Sequence, residues 1–275
     1  MRHVPESLDQ QVVAEIDQQL DVIAATCGAS VVLAVESGSR AWGFPSPDSD
    51  YDCRFVFVRS AEDYLSPWPV RDVIELAPDG LLDINGWDLR KAVQLLVAGN
   101  AVILEWARSP IVYRAEPEFV ERLVALAERV ANRPAIARHY LHVGQKQWDR
   151  FITPDGQMPL KKLFYSLRPA AALRWLRQHP ESAVPPMTLE QLLAQSEPPP
   201  RVAAAVADLV SQKAVTREMA TDTVPEAVRT FVLNELREEP WMVQMPDAAT
   251  TQGAREEAAR FFRDAVRNHG AESLS

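Results

Sequence analysis

Two carboxylates separated by one residue, Asp50 and Asp52, stand at the head of a strand-like run, Tyr51-Asp52-Cys53-Arg54-Phe55-Val56-Phe57-Val58. A Gly38-Ser39 pair precedes them by a gap of ten residues and follows a β-branched run, Ser30 to Val35. Residues two apart in a strand point to one face, so Asp50 and Asp52 project together. Hard divalent cations take oxygen ligands, and Mg²⁺ usually binds through few carboxylates plus substrate phosphates. Asp83, between Leu82 and Ile84 in a third strand-like run, is the candidate for a third carboxylate. A Gly-Ser turn offers backbone N–H groups and a hydroxyl to phosphates, and the helical turn after it adds its N-terminal dipole. These donors are the ones that metal-dependent nucleotidyl transfer needs. Two ions about 3.5–4 Å apart can activate an attacking hydroxyl and steady the leaving pyrophosphate. Asp48, in a Ser/Pro/Asp loop, reads as a turn residue, and Asp88 as a helix N-cap.

A second constellation lies in Lys161 to Arg177. Lys161, Tyr165 and Arg168 fall at i, i+4 and i+7, so one helical face carries two cations and a phenol. Lys162 is turned by about 100° from Lys161. Such a face could hold a nucleotide's phosphates or base, or an acceptor's backbone; the alternative is a surface helix with Tyr165 half-buried. The formal net charge is −9, and its distribution is uneven. Residues 133–177 carry 9 basic and 2 acidic side chains, whereas the flanking segments are acidic. His139 and His142 lack a third ligand for a metal, and Trp148, Trp175 and Trp241 read as packing residues.

The elements that must position these groups divide the chain in two. Ser7 is placed to cap a first helix that ends near Gly28, and strands follow at 30–35, 51–58 and 81–87. Asp88 opens a helix closing at Gly99-Asn100, and Ser109 to Tyr113 reads as a last extended piece. Helical periodicity then dominates, over 117–130, 134–151, 160–178, 188–195, 200–218, 225–237 and 252–268. Pro169 predicts a kink or a new start within 160–178. The expected class is α+β: a small mixed-sheet unit over 1–116, followed by an all-helical unit over 117–275.

No run of about 18 apolar residues exists and the N-terminus lacks a signal-peptide apolar region. The two cysteines, Cys27 and Cys53, make neither a disulfide framework nor a metal cluster. A cytoplasmic location, with no membrane association, is the expectation.

Gly38-Ser39, the ten-residue gap and Asp50-Tyr51-Asp52 resemble the signature of the DNA polymerase β-like nucleotidyltransferase superfamily. The finer pattern is Glu36 to Gly43, Ser49 to Asp52 and Asp83 to Lys91, with Asn100, Glu105-Trp106 and Ser109 to Tyr113. It is similar to the RNA repair pathway polymerase β family over roughly residues 31–178, and Lys161, Tyr165 and Arg168 resemble that family's helical region. Gly86, close behind Asp83, departs from a plain strand pattern. The resemblance implies transfer of NMP from an NTP to a hydroxyl acceptor with Mg²⁺ or Mn²⁺ and release of pyrophosphate. It implies Asp50, Asp52 and Asp83 as metal and catalytic carboxylates. Gly38, Ser39 and Arg40, with Lys161, Lys162, Tyr165 and Arg168, would then bind the nucleotide. RNA is the acceptor it implies. A non-catalytic nucleotide or RNA sensor, or transfer to a small molecule or a protein, remain the alternatives. Nucleobase preference and oligomeric state are left open.

Overall fold

A computed structural model of the chain describes residues 1–68, 70–77, 80–216, 221–244 and 246–270. Its centre is a five-stranded mixed sheet of order β3-β4-β2-β1-β5: β1 Ala29–Glu36, β2 Tyr51–Arg59, β3 Val73–Glu75, β4 Leu82–Asp88 and β5 Val112–Ala115. β2 runs parallel to β4 and antiparallel to β1; β3 and β5 are antiparallel edges.

Alternation along the strands decides which layer each side chain enters. Tyr51, Cys53, Phe55 and Phe57 of β2 join Leu82 and Ile84 of β4 beneath α1, Gln10–Cys27. Val56 and Val58 face the opposite layer, where α4 Leu89–Val97, α5 Ala101–Ala107 and the later helices pack. Asp52 and Arg54 fall on that second face by the same alternation. Asp88 caps α4 by accepting from the Arg90 N–H at 2.7 Å, as expected. The first helix is capped by Asp9 in place of Ser7, its carboxylate accepting from the Gln11 N–H at 2.8 Å, and it ends at Gly28 in the left-handed region. Gly86 does not end its strand. It pairs with Phe55, whose ring lies where a side chain would stand: a Cβ on Gly86 would come within 2.2 Å of it. Within residues 1–116, β3, α5 and α3, Ala61–Leu65, carried too little periodicity to be read in advance.

The remaining helices are α6 Pro117–Val130, α7 Arg133–Phe151, α8 Leu160–Gln178, α9 Leu189–Ser196, α10 Pro200–Val215, α11 Glu226–Glu235 and α12 Ala248–His269. The last two residues of the helix expected over 200–218 lie outside the described residues. A two-stranded ribbon, β6 Gln157–Pro159 with β7 Thr221–Thr223, and a 3₁₀ turn at Pro240–Val243 interrupt this helical half. α8 passes through Pro169 without breaking. Its residues Leu163, Phe164, Leu167 and Ala170 to Leu173 are all buried, so packing on every side outweighs the cost of a helical proline. One core cluster joins Val35 and Val56 of the sheet to Phe119, Ile136, Leu173 and Phe261. Among the described residues, no helix is long and apolar enough to cross a membrane.

Candidate active site

The parallel register sets Asp52 of β2 beside Asp83 of β4. Arg54, two residues on and on the same face, bridges them. Its Nη2 donates to Asp52 Oδ1 at 2.9 Å and to Asp83 Oδ2 at 2.6 Å. Its Nη1 donates to the backbone carbonyls of Asp83 at 2.8 Å and Cys53 at 3.2 Å. Burial works against this guanidinium, but the hydrogen bond it donates to Asp83 and the two carboxylate charges raise its pKa all the same. Asp50, just before β2, is exposed. Two carboxylates thus meet where three were expected: among the described residues, no three His, Cys, Asp or Glu side chains form a metal-holding group. Burial raises the Asp52 pKa, the charges of Asp83 and Asp50 add to this, and Arg54 and Lys161 oppose it.

The Gly38 turn abuts the same carboxylate. Gly38 opens the five-residue α2, Gly38–Trp42, at φ +58°, and a Cβ there would stand 2.0 Å from Asp52 Oδ2. Bare backbone and carboxylate therefore share an edge. This oxygen-only donor set fits Mg²⁺, which needs one or two carboxylates and takes its other ligands from phosphate and water.

Behind Asp52 lies Glu36, fully buried at the end of β1. One carboxylate oxygen accepts the Asp52 N–H at 2.8 Å and the other accepts the Tyr113 hydroxyl. Burial pushes the Glu36 pKa up to about 7 in spite of these donors, and the nearby Asp52 charge adds to the rise.

Ser39 and Arg40 are engaged within the protein. Ser39 Oγ donates to Ser49 Oγ at 2.9 Å, and Ser49 Oγ accepts the Ser46 N–H at 2.9 Å. Lys213 of α10, only 2% exposed, donates to Ser46 Oγ at 3.4 Å, so the helical half reaches the loop that carries Asp50. Arg40 stacks over the Tyr51 ring at 3.9 Å and donates to the carbonyls of Ser49 and Asp50 at 2.7 and 3.0 Å.

From α8, Lys161 acts electrostatically on Asp52. Tyr165 meets the Trp42 ring edge-on at 5.2 Å, and the Lys162 ammonium lies 4.8 Å from the Phe151 ring. Arg168 takes another place. Its side chain is 3% exposed, and it donates to Glu105 Oε1 at 2.7 Å and to the Met187 carbonyl at 2.9 Å. Glu105 also accepts from the Tyr140 hydroxyl at 3.0 Å and the Trp42 indole at 3.3 Å. Arg168 is thus a buried strut behind Trp42, engaged with Glu105 instead of facing the site with Lys161. The same holds for much of the basic segment. Arg133 and Arg138 donate to the carbonyls of Leu176 and Met242, and Arg174 and Arg177 to Glu235.

Arg54 and Lys213 have no place among the residues singled out from sequence, and Glu36 and Glu105 stand in the motif pattern there without a role of their own. The strand alternation that aligns Asp50 with Asp52 reaches Arg54 as well, so that signal was present. Nothing local marks Lys213, 167 residues from the Ser46 it meets.

A family model described as the RNA repair pathway DNA polymerase beta family matches residues 12–264. The match runs well beyond the 31–178 stretch that carries the motifs, into α12. An uncharacterized protein of Bacillus subtilis strain 168, YcgL, is 36% identical over 222 residues, covering 80% of this chain and 84% of the relative.

Proposed function

The chain belongs to the RNA repair pathway DNA polymerase beta family, and from that premise we propose that it moves NMP from an NTP to a hydroxyl at an RNA end. Membership carries a polymerase β-like nucleotidyltransferase role in RNA repair. The observation that supports the finer reading is the meeting of Asp52 and Asp83 beside the bare backbone of Gly38. Asp52 and Asp83, joined by the exposed Asp50 whose charge acts on Asp52, would hold Mg²⁺ or Mn²⁺, which when bound supplies charge neutralisation at the phosphates and a lowered pKa for the attacking hydroxyl. The Gly38 turn orients the triphosphate through its backbone N–H groups, and Lys161 offsets negative charge near Asp52. Arg40 holds the loop that carries Asp50, and Tyr165 with Trp42 forms an aromatic wall toward α8. The acceptor oxygen attacks the α-phosphorus, the bond to the bridging oxygen of the β-phosphate breaks, and pyrophosphate leaves. Asp83, whose side chain is 46% exposed, takes the acceptor's proton.

The test is transfer of label from each α-labelled NTP to RNA with Mg²⁺ or Mn²⁺. Wild type should label an RNA end and Asp52→Asn should not. Equal labelling by Asp52→Asn would overturn the assignment. Stabilisation by NTP without pyrophosphate release would identify a sensor instead, and label on protein or small molecules would replace the acceptor.

A further inference from the structure

We propose that Arg54 is a resident counter-cation that keeps Asp52 and Asp83 paired until a divalent metal arrives together with nucleotide, so that metal binding depends on the triphosphate. The inference rests on the reading of Asp52 and Asp83 as metal carboxylates and adds an order of binding to it.

One nitrogen of the guanidinium lies between the two carboxylates, 2.9 Å from Asp52 Oδ1 and 2.6 Å from Asp83 Oδ2. That is the position a cation shared by the pair would occupy. The other nitrogen rests on two backbone carbonyls, at 2.8 and 3.2 Å. A guanidinium cannot shed its charge by deprotonation, so a metal entering here must displace the Nη2 contacts. The Nη1 contacts give the side chain an anchor while it swings. The side chain is only 18% exposed, so solvent screens the guanidinium poorly.

Charge then decides the order. Asp52 and Asp83, with Asp50 acting on Asp52, bring three negative charges, and Arg54 with Lys161, whose charge also acts on Asp52, brings two positive ones, so one negative charge is left over for a bare ion. A bare divalent ion would add two more positive charges beside a cation it had just displaced. A metal–triphosphate complex arrives with net negative charge, and its phosphate oxygens offer the released Nη2 a charged acceptor. Binding of metal and of nucleotide are thereby coupled, and the coupling is reciprocal.

Mn²⁺ binding, followed by the electron paramagnetic resonance of the free ion, tests this with and without an α,β-methylene NTP that cannot be cleaved. Wild type should bind Mn²⁺ weakly alone and about tenfold or more tightly with the analogue. Arg54→Gln should bind Mn²⁺ about tenfold more tightly than wild type without nucleotide, with the benefit of the analogue correspondingly smaller. Adding Asp52→Asn to Arg54→Gln should abolish the gain. If Arg54→Gln fails to fold, Arg54→Lys decides, because one ammonium cannot span both carboxylates and both carbonyls. Its nucleotide-free affinity should rise about fivefold, at the low end of such couplings. Unchanged or weaker nucleotide-free binding in the folded variant, while wild type binds Mn²⁺ with the analogue, overturns the role of Arg54 and leaves the metal carboxylates standing. No Mn²⁺ binding by either protein under either condition overturns both.

Discussion

Gly38 and Glu36 hold Asp52 from two sides, and each gives a distinct expectation. Gly38 has φ +58°, a conformation costing other residues roughly 1–2 kcal/mol, and its missing Cβ leaves the space into which Asp52 Oδ2 projects at 2.0 Å. Gly38→Ala should therefore lower stability by about 1–3 kcal/mol in urea unfolding, combining that strain with the displaced carboxylate. Pyrophosphate release should fall by about 10²-fold or more, since a misplaced group of this kind costs catalysis far more than folding. Glu36 acts through pH. Its folded pKa of about 7 lies above its ordinary 4.5, so the folded state binds the proton more tightly than the unfolded chain. The stabilisation from protonated Glu36 is complete below about 4.5 and is lost as pH rises through about 7. At ~1.4 kcal/mol per unit, wild type should lose on the order of 3 kcal/mol over that interval relative to Glu36→Gln. Parallel thermal melts of the two proteins across pH 4 to 8 read this directly, and identical profiles would refute it.

Between elements, Trp42 connects the Gly38 turn to α8 through Glu105 and Arg168. Both charges are buried, so Arg168→Met leaves Glu105 without its cation and should cost roughly 3–5 kcal/mol in urea unfolding. The double variant Arg168→Met/Glu105→Gln should recover a large part of that loss, because no uncompensated charge remains. A double variant as unstable as Arg168→Met would show that the strut holds by shape and not by charge. The same pair shows what the sequence could disclose. Periodicity located α8 at 160–178 and placed Lys161, Tyr165 and Arg168 on one face, and the helix occupies that range. Periodicity carries no information on what that face meets. A carboxylate 63 residues upstream captures Arg168, and Glu235, 61 residues downstream, captures Arg174. The strand-borne Asp52 and Asp83 were legible because their faces follow from alternation and their proximity from strand pairing. The Lys213–Ser46 contact spans 167 positions, and no local pattern encodes it. Elements as short as β3 and α3 hold too few residues to show a period.

Across the whole molecule, the basic middle of an acidic chain reads differently once it is folded. Arg133, Arg138, Arg168, Arg174 and Arg177 donate to carbonyls and carboxylates of other elements, so they act first as internal fasteners between helices. An RNA partner would then meet few cations, and its binding should show a shallow salt slope, equivalent to about two or three phosphate contacts. The fasteners also bear on whether the sheet half can stand alone. One face of β1 and β2 packs into the same cluster as Phe119, Ile136, Tyr140 and Phe261, and α12 returns from the end of the chain to lie against α4, α6 and β2. Ending the chain after residue 116 would expose Val32, Val35, Val56, Val58 and Leu96 to water, and would strip Trp42 and Glu105 of their partners on α7 and α8. At roughly 1.5–3 kcal/mol for each large apolar side chain left exposed, the loss equals or exceeds the 5–15 kcal/mol by which folded proteins are stable. Residues 1–116 alone should therefore show no cooperative urea transition and no near-ultraviolet dichroism. A sharp transition would mean that α1 and the sheet suffice as a core, and that the helical half is a separable partner of the candidate site.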